Sequence, residues 1–400
     1  MSAMGWTASR SIESIGGRTR SRLRWWNPGW IAILAALALT VWGAVAIGIT
    51  RPELASRQAL HAAVGLLAAA VVAVPDYRLL RRFTPLLAAI CLLLLVVVLV
   101  PLVPEWLVRP RNGARRWINL GVTDLQPSEL AKVVYVLAAA AWLRPDGVHR
   151  TLVGFVRPFA ATMVPVVLIL LEPDLGTALL FVPTLLALLF AGGARKRHLL
   201  AVIVAAGLAI PASYPLLKPH QKDRVDALIA QIQGDRRFEQ DIGYQSARAM
   251  DLVGAGGVSG RADEAAALVR YNHLPEAHND MIFAVVACRW GAVGGGAMMA
   301  LLAAVVGAAL ATAAISRDAY GRMLAVGIGA MLAVQATVNL AMTVGIAPVT
   351  GMTLPFVSFG GSSLVTTWVM VGLLLNVALR RPDSLAPRRI FEFGDERETR

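Results

Sequence analysis

Long apolar runs recur along almost the whole chain, and they constrain its fold more than any other feature. Most of them reach about 17 residues, the length at which a helix begins to span a bilayer. Charged residues make up 16% of the 400 residues, whereas soluble domains carry about 25%. A transmembrane β-barrel would instead alternate polar and apolar residues in short segments. The sequence therefore predicts an all-α polytopic membrane protein.

The apolar pattern predicts about ten transmembrane helices. Their approximate limits are residues 30–50, 58–75, 84–104, 126–143, 158–171, 175–191, 198–217, 281–314, 323–346 and 358–379. The fifth segment would rise only about 21 Å, so we expect the turn after it to lie recessed below the membrane surface. The eighth would rise about 50 Å, so we expect it to protrude or to break near the glycines at 294–296. A large polar loop, with short surface helices expected at 222–233 and 244–252, separates helices seven and eight.

The net charge of +13 is spread over short loops. A nucleic-acid-binding protein pools such charge on one face, so we expect no nucleic acid partner. The positive-inside rule instead places the loops at 78–82, 144–157, 195–197 and 317–322 in the cytoplasm. This orientation gives a basic cytoplasmic tail at 1–29 and a ten-helix membrane domain at 30–380, with residues 218–279 in the periplasm. Residues 381–400 form a second cytoplasmic tail.

One predicted outer loop violates this charge rule. Residues 105–126 carry Arg109, Arg111, Arg115 and Arg116, and Trp117 follows directly. Two interpretations are open. Trp117 can anchor the chain at the membrane interface, or the planar guanidiniums can form a pocket for a phosphorylated lipid.

The fourth predicted helix begins with a motif of mixed charge, QPSELAK at residues 126–132. Pro127 suits the first helical turn, and Glu129 favours the positive end of a helix. Lys132 lies about one turn deeper and can pair with Glu129. The pair either stabilises the start of the helix or contributes to the same basic pocket.

Two acidic residues, Glu172 and Asp174, flank Pro173 in the turn after the fifth predicted helix. Solvation at the surface is the ordinary explanation for such a turn. A recessed position would instead indicate a functional role, because acidic groups within a membrane are costly.

The stretch YNHLPEAHND, at residues 271–280, runs straight into the eighth apolar segment. It places the carboxylates of Glu276 and Asp280, together with His278, at the lip of a hydrophobic helix. Asn279 or Asp280 can simply cap that helix. Alternatively, Asp280 carries out chemistry at the outer face of the membrane.

The remaining polar features lie within or beside apolar helices. Ser362 belongs to SFGGSS at 358–363, where small residues are typical of close helix packing. Gln335 and Asn339 lie one turn apart on the ninth helix, so we expect them to bond across helices. Cys91 and Cys288 fall in apolar segments and supply neither a disulfide framework nor a metal cluster.

Taken together, these motifs resemble the SEDS family (shape, elongation, division and sporulation), the RodA, FtsW and SpoVE proteins of bacterial cell-wall synthesis. The stretches that carry the resemblance are GARRW at 113–117, QPSELAK at 126–132, PDLGT at 173–177, GAGG at 254–257, LPEAHND at 274–280, PVTG at 348–351 and LPFVSFGGSS at 354–363. The chain departs from the family at Asn279 and Phe359, where the family usually has Thr and Tyr. It also has Cys288 and Arg289 in place of the usual acidic pair.

The resemblance implies a ten-helix glycosyltransferase of the bacterial inner membrane, which polymerises lipid II into glycan strands. The implied partners are a class B penicillin-binding protein, the transpeptidase that crosslinks the strands, and other membrane proteins of the elongasome or divisome. The resemblance matches Asp280 to the family's essential outer-loop Asp. It matches Arg116 and Lys132 to the family's basic cavity residues.

The residue types suit this reaction, which joins an acceptor hydroxyl to an anomeric carbon bearing a lipid pyrophosphate. A carboxylate must take the hydroxyl proton, and cations must stabilise the departing pyrophosphate. We therefore predict that Asp280 is the catalytic base. The predicted substrate-binding residues are Arg115, Arg116, Trp117, Glu129, Lys132, Asp174, Glu276, His278 and Ser362.

The sequence identifies no cofactor, although a divalent cation, Mg²⁺ or Mn²⁺, could assist the pyrophosphate; no closed ligand set is visible. Two other functions remain open. A lipid-linked-sugar flippase would need polar residues that continue to the cytoplasmic side, whereas here they cluster outside. A non-catalytic membrane scaffold for a cell-wall synthase would use Asp280 only as a helix cap.

Overall fold

A computed structural model describes residues 27–111, 114–121, 124–143, 151–216, 219–233, 235, 237 and 243–380. Nearly all of the predicted tail at 1–29 and all of the tail at 381–400 lie outside these described residues. The same holds for Arg144 and Arg150 of the predicted cytoplasmic loop, and for Asn112 and Gly113 of the basic outer loop.

The described residues form thirteen α-helices and three short β-strands. In chain order they are α1 (Gly29–Thr50), α2 (Pro52–Ala73), α3 (Tyr77–Leu99), β1 (Val108–Arg111), β2 (Ala114–Asn119), β3 (Asp124–Leu125), α4 (Pro127–Trp142), α5 (Leu152–Leu171), α6 (Leu175–Ala191), α7 (Lys196–Ser213), α8 (Pro219–Ile232), α9 (Tyr244–Gly256), α10 (Ala265–Asn272), α11 (Ile282–Ile315), α12 (Ala319–Thr343) and α13 (Gly361–Leu379).

Each of the ten predicted transmembrane segments overlaps one helix of the structure, α1 to α7 or α11 to α13. Within the described residues, seven of these helices (α1, α2, α3, α5, α11, α12 and α13) are long and apolar enough to cross a membrane, and α6 is a shorter apolar helix. The chain is therefore a multi-pass helical membrane protein. The number of ten crossings stays a prediction.

The fifth helix is longer than the sequence indicated. We took Pro158 as its start, but α5 begins at Leu152 and spans 20 residues, with Pro158 and Pro165 inside it. Thr151 caps it, its hydroxyl accepting a hydrogen bond of 3.1 Å from the backbone N–H of Gly154. A helix of this length rises about 30 Å. Our argument that the turn after it is recessed because the helix is short was therefore wrong.

The eighth predicted helix does break, but at a different glycine. Gly291 has φ 66° and ψ −166°, which interrupts α11 ahead of the glycines at 294–296. Backbone bonds cross the break from the segment after α9: Ala292 N–H donates to Gly257 O at 2.9 Å. A Cβ at Gly291 would overlap the backbone of Val258, so this position needs glycine.

A small antiparallel sheet, ordered β1-β2-β3, replaces the polar loop predicted at 105–126. The register between β1 and β2 shifts between Arg109 and Pro110. Val108 and Ile118 turn inward and pack with Val98 of α3 in a separate small core. Ala114 and Ile118 are the buried residues of β2, whereas the three residues between them are partly exposed.

The helices pack in one continuous apolar core around the buried helices α12 and α13. The sheet, the end of α5 and the starts of α4, α6, α11 and α13 meet at one end of the bundle, here called the site end. Arg116 of β2 reaches the end of α5 there, and Ser362 of α13 bonds to Asp124 of β3. At the opposite end, the Tyr77 hydroxyl donates to Asp318 at 2.9 Å, so the basic segments around 78 and 317 share that side, as predicted.

Candidate active site

Asp280 lies in a tight turn immediately before α11. The N–H of Asn279 donates to the carbonyl of Glu276 at 2.9 Å, and Glu276 itself has φ +50°. The N-cap of α11 is Met281, and no side chain caps this helix. The capping interpretation of Asn279 and Asp280 is therefore wrong. The Asp280 side chain is nevertheless buried, with only 5% of its surface exposed.

The surroundings of the Asp280 carboxyl favour its neutral form. Burial, followed by the negative charge of Glu276, raises its pKa to about 7. The backbone N–H groups of Asp280 and Met281 and the amide of Gln245 act in the opposite direction. That amide donates to both carboxyl oxygens of Asp280, at 3.2 and 3.4 Å. A carboxyl whose pKa is close to the working pH is well suited to general base catalysis.

Asn339 ties the Asp280 backbone to the centre of the bundle. Its side-chain amide donates to the carbonyl of Asp280 at 2.8 Å and to that of Met352 at 2.5 Å. One turn away on α12, Gln335 donates to the carbonyl of Thr353 at 2.9 Å. The predicted bonding across helices is confirmed for Gln335, whose amide oxygen accepts a hydrogen bond from Lys132 of α4. For Asn339 it is wrong among the described residues, because its amide bonds to the non-helical segments at Asp280 and Met352, where it holds the turn that carries Asp280.

A buried ion pair continues from Gln335 into α4. The Lys132 ammonium donates to the amide oxygen of Gln335 at 2.9 Å and lies 2.7 Å from a carboxylate oxygen of Glu129. Thr366 of α13 donates to the same carboxylate oxygen at 3.1 Å. Lys132 is only 1% exposed. The predicted pairing of Glu129 with Lys132 is present, and it brings both residues into contact with α12 and α13.

Asp174 occupies a fully bonded position at the start of α6. One carboxylate oxygen caps α6 by accepting from the N–H of Thr177 at 3.1 Å. The other accepts from the Ser128 hydroxyl at 2.8 Å and from the Gln126 amide at 3.0 Å. Asp174 therefore joins the start of α6 to the start of α4.

Arg116 faces the turn between α5 and α6. Its guanidinium donates to the carbonyls of Glu172 and Pro173 at 2.6 and 2.5 Å. The Glu172 side chain is 1% exposed, and its two carboxyl oxygens have no hydrogen-bond partner among the described residues. Burial, with a further contribution from Asp174, raises the pKa of Glu172 to about 8, while Arg116 acts to lower it. Burial thus disfavours the charged form of Glu172, and Arg116 hydrogen-bonds to backbone carbonyls of this turn and not to the Glu172 carboxyl.

Two of the predicted binding residues hold loops in place. The Arg115 guanidinium donates to the carbonyls of Pro101 and Val103 at 3.1 and 2.5 Å, which secures the segment between α3 and β1. The Ser362 hydroxyl donates to the carbonyl of Asp124 at 2.6 Å. Among the described residues, neither side chain hydrogen-bonds to Asp280, Glu129 or Lys132.

The other predicted binding residues lie around these groups. Trp117 is half-buried on β2, opposite Arg109 of β1. Glu276 is exposed and accepts a hydrogen bond from the amide of Asn279. The half-buried His278 has its ring 5.9 Å from that of Phe359, and burial lowers its pKa.

The comparisons with known proteins agree with this architecture. The sequence model of the FtsW, RodA and SpoVE family, described as cell cycle proteins, matches residues 29–382. This chain belongs to that family.

Two relatives of this family member illustrate the similarity. Stage V sporulation protein E of Bacillus subtilis is 33% identical over 81% of this chain and 86% of its own length. A protein of Coxiella burnetii named "Probable peptidoglycan glycosyltransferase FtsW" is 31% identical over 90% of this chain and 98% of its own length.

Solved structures show the same fold. A chain from a peptidoglycan synthase complex, whose structure describes the coordination of polymerization and crosslinking, superposes with a TM-score of 0.75. It is 33% identical and covers 87% of this family member and 97% of itself. The rod shape determining protein RodA of Thermus thermophilus gives a TM-score of 0.65 at 30% identity, over 88% of this chain and 98% of its own.

Sequence reasoning missed Gln245, the side chain that contacts the Asp280 carboxyl. It lies at the start of α9, which we predicted only as a surface helix. Instead α9 buries Ala249 and Leu252 in the core of this family member. A single glutamine in a polar loop gives no signal that could have identified it, because its partner is 35 residues away.

The predicted divalent cation finds no closed protein site in the part of the chain that the structure describes. No group of three or more His, Cys, Asp or Glu side chains there could hold a metal ion. The negative charge of Asp174 acts on Glu172, and both carboxylate oxygens of Asp174 already accept hydrogen bonds. The residues present therefore do not fit a protein-bound metal centre of the closed kind.

Proposed function

We propose that this chain polymerises lipid II into glycan strands and that Asp280 is its general base. The family membership makes it a peptidoglycan glycosyltransferase, the activity for which its FtsW relatives are named. The observation that carries the base assignment is the buried carboxyl of Asp280, which does not cap α11 and has a pKa of about 7.

The proposed reaction forms one bond and breaks one bond. The hydroxyl oxygen of the acceptor sugar attacks the anomeric carbon of the donor, while the bond from that carbon to the lipid pyrophosphate breaks. The hydroxyl proton passes to Asp280, and the pyrophosphate leaves with the bonding electron pair. Asp280 must be ionised at the start, so we expect kcat/KM to fall as the pH drops below about 7.

We assign the departing pyrophosphate to Arg116. Its guanidinium is held in place by two carbonyls and makes no hydrogen bond to the Glu172 carboxyl, whose charged form burial disfavours. A planar guanidinium can bind a phosphate in bidentate fashion. Lys132 contributes less, because its charge is already paired with Glu129. A divalent cation, if needed, would travel with the pyrophosphate rather than occupy a closed protein site.

We also propose the membrane setting and the partners that the sequence implied. The chain would lie in the bacterial inner membrane with both termini in the cytoplasm and the site end in the periplasm, where exported lipid II is presented. Its similarity to a chain of a peptidoglycan synthase complex supports a class B penicillin-binding protein as its partner. The elongation and division machineries remain the two candidate settings.

The family does not favour a flippase, and the scaffold alternative can be tested at Asp280. Asn has almost the shape of Asp but cannot accept a proton at neutral pH. We expect Asp280→Asn to insert normally and to lose polymerisation by about 10²–10⁴-fold, the usual contribution of a general base. The measurement is glycan polymer formed from lipid II by purified protein, with and without a candidate penicillin-binding protein.

Asp251→Asn is the matched control, since this exposed α9 carboxylate lies outside the site. It should polymerise as the wild type does. Near wild-type activity of Asp280→Asn would refute the base assignment. A wild type that makes no polymer under any of these conditions would favour the scaffold.

A further inference from the structure

The side chain of Gln245 lies beside the carboxyl of Asp280. Within the part of the chain that the structure describes, it is the one side chain that donates hydrogen bonds to the Asp280 carboxyl. The same amide nitrogen lies 3.2 Å from Oδ1 and 3.4 Å from Oδ2, so it spans both oxygens. The bonds are long, but both are directed at a group that is 5% exposed and so has little water to replace them.

The helix that carries Gln245 is locked to the helix that follows Asp280. Gly256 of α9 lies against the carbonyl of Ala287 so closely that a Cβ would overlap it. Just beyond α9, the N–H of Arg261 donates to the carbonyl of Cys288 at 2.8 Å, and the N–H of Val293 donates to that of Val258 at 3.2 Å. Gln245 and Asp280 therefore belong to one rigid unit, and their contact is set by backbone packing.

We infer that Gln245 is a positioning residue for the catalytic base: its amide holds the Asp280 carboxylate in place and favours the ionised form that accepts the proton. This inference rests on the proposed function, in which Asp280 is that base. Gln245 itself acts through Asp280 and is not assigned a contact with the substrate.

The charges around Asp280 explain why such a donor matters. Glu276, in the same turn, is the charged side chain that acts on Asp280, and it opposes ionisation. The α12 side chain that reaches this turn, Asn339, bonds to the backbone carbonyl and not to the carboxyl. His278 is half-buried two residues away, and burial disfavours its cationic form. The backbone N–H groups of Asp280 and Met281 offset part of the effect of burial and Glu276 on the Asp280 pKa, and Gln245 is the side chain that adds to them.

Substitutions at Gln245 have room to be accommodated. Its side chain lines a cavity of about 180 Å³ between α8, α9 and residues 347–349. Gln231 of α8 lines the same cavity, but its amide donates to the carbonyl of Gly345 at 2.9 Å and does not contact Asp280. Gln231 therefore offers a matched control for the loss of an amide in this cavity.

The test compares the pH dependence of kcat/KM for lipid II polymerisation by the purified full chain. Gln245→Met keeps the length of the side chain but removes the donor, so the acidic limb should move up by about one pH unit. Gln245→Lys supplies a cation instead, so the limb should move down by about one unit. Gln231→Met should leave the limb where it is in the wild type.

A merely structural role for Gln245 would lower kcat without moving the limb in opposite directions. Unmoved limbs in both Gln245 variants would overturn the inference, and so would a downward shift in Gln245→Met. Loss of all activity in Gln245→Met together with an unmoved limb in Gln245→Lys would also overturn it. These results presuppose an active wild type, whereas a wild type without polymerase activity would instead refute the proposed function.

Discussion

Two buried carboxyl groups at the site end show how surroundings decide a residue's role. Asp280 and Glu172 both have a raised pKa because of burial. The Asp280 carboxyl accepts hydrogen bonds from the amide of Gln245, whereas the oxygens of Glu172 accept no hydrogen bond from any described residue. Burial raises the pKa of Asp280 to about 7, while backbone N–H groups and Gln245 favour its ionised form, and such a carboxyl suits a base. Burial disfavours the charged form of Glu172, which bears on how far it can neutralise Arg116.

Arg116 gives the sharpest prediction at this scale. Arg116→Lys should lose about 10–100-fold in lipid II turnover, because an ammonium has only three donors and cannot hold both carbonyls and still bind a phosphate in bidentate fashion. Arg116→Ala should lose more. Turnover is measured at matched amounts of membrane-inserted protein.

The control for this substitution is Arg109→Lys, which changes an exposed arginine on the neighbouring strand β1. The Arg109→Lys protein should turn over lipid II at the wild-type rate. Equal rates for the wild type and Arg116→Lys would show that Arg116 is only an interfacial anchor, for which lysine serves equally well.

At the scale of elements, the clasp between the end of α9 and the break in α11 holds the site together. We define the clasp as residues 256–261 and 287–293. It replaces helical hydrogen bonds at Gly291 with bonds between two backbone segments, including that from Ala292 N–H to Gly257 O. Such close backbone contact is possible only at residues without a side chain. The glycines at 256, 260 and 291 meet this requirement.

Gly260→Ala should disrupt the clasp. Gly260 has φ +88°, and a Cβ there would overlap the carbonyl of Arg289. We expect a loss of about 2–5 kcal/mol in unfolding free energy from strain and overlap together, and a loss of polymerisation. Thermal unfolding in detergent, followed alongside the polymerisation assay, measures both effects.

Gly254→Ala is the matched substitution within α9. A Cβ at Gly254 meets nothing within 4 Å, and the position is helical. It should leave activity intact and raise stability slightly, since alanine favours a helix over glycine by about 1 kcal/mol. Equal thermal stability of the two variants would show that the clasp does not depend on close backbone contact.

At the scale of the whole molecule, the buried acidic and basic side chains of the described residues lie at the site end, whereas the helices between the ends bury mainly apolar residues and threonines. The network through Asp280, Asn339, Gln335, Lys132 and Glu129 joins three segments of the chain near this end. An acceptor and a leaving group must meet on one side of the membrane, so the orientation of the bundle decides where the reaction takes place.

The proposed orientation predicts which positions react from outside the cell. In a background without Cys91 and Cys288, both of which are buried and free, single cysteines replace Asn279 and Lys196. An impermeant thiol reagent should label Asn279→Cys in intact cells and Lys196→Cys only after lysis. Labelling of Lys196→Cys but not of Asn279→Cys in intact cells would show that the orientation is the opposite of the proposed one.

The sequence by itself determined the elements that depend on local composition. Long apolar runs require helices in a bilayer, because backbone groups there must bond internally, and all ten predicted segments overlap helices. The spacing of Glu129 and Lys132, one helical turn apart, was likewise enough to predict their pairing. The sequence failed at Pro158, which we took as the start of the fifth helix but which lies inside α5, since proline signals a helix end only when neighbouring packing does not compensate.

Only the tertiary structure decided which polar residues act together. Gln245 and Asp280 are 35 residues apart, and Arg116 and Glu172 are 56 apart, so no local pattern links them. The structure also showed that Asp280 does not cap α11 and that Arg115 holds a loop. Hydrogen bonding and burial depend on which segments pack against one another, and that packing is a property of the folded chain and not of any single stretch of it.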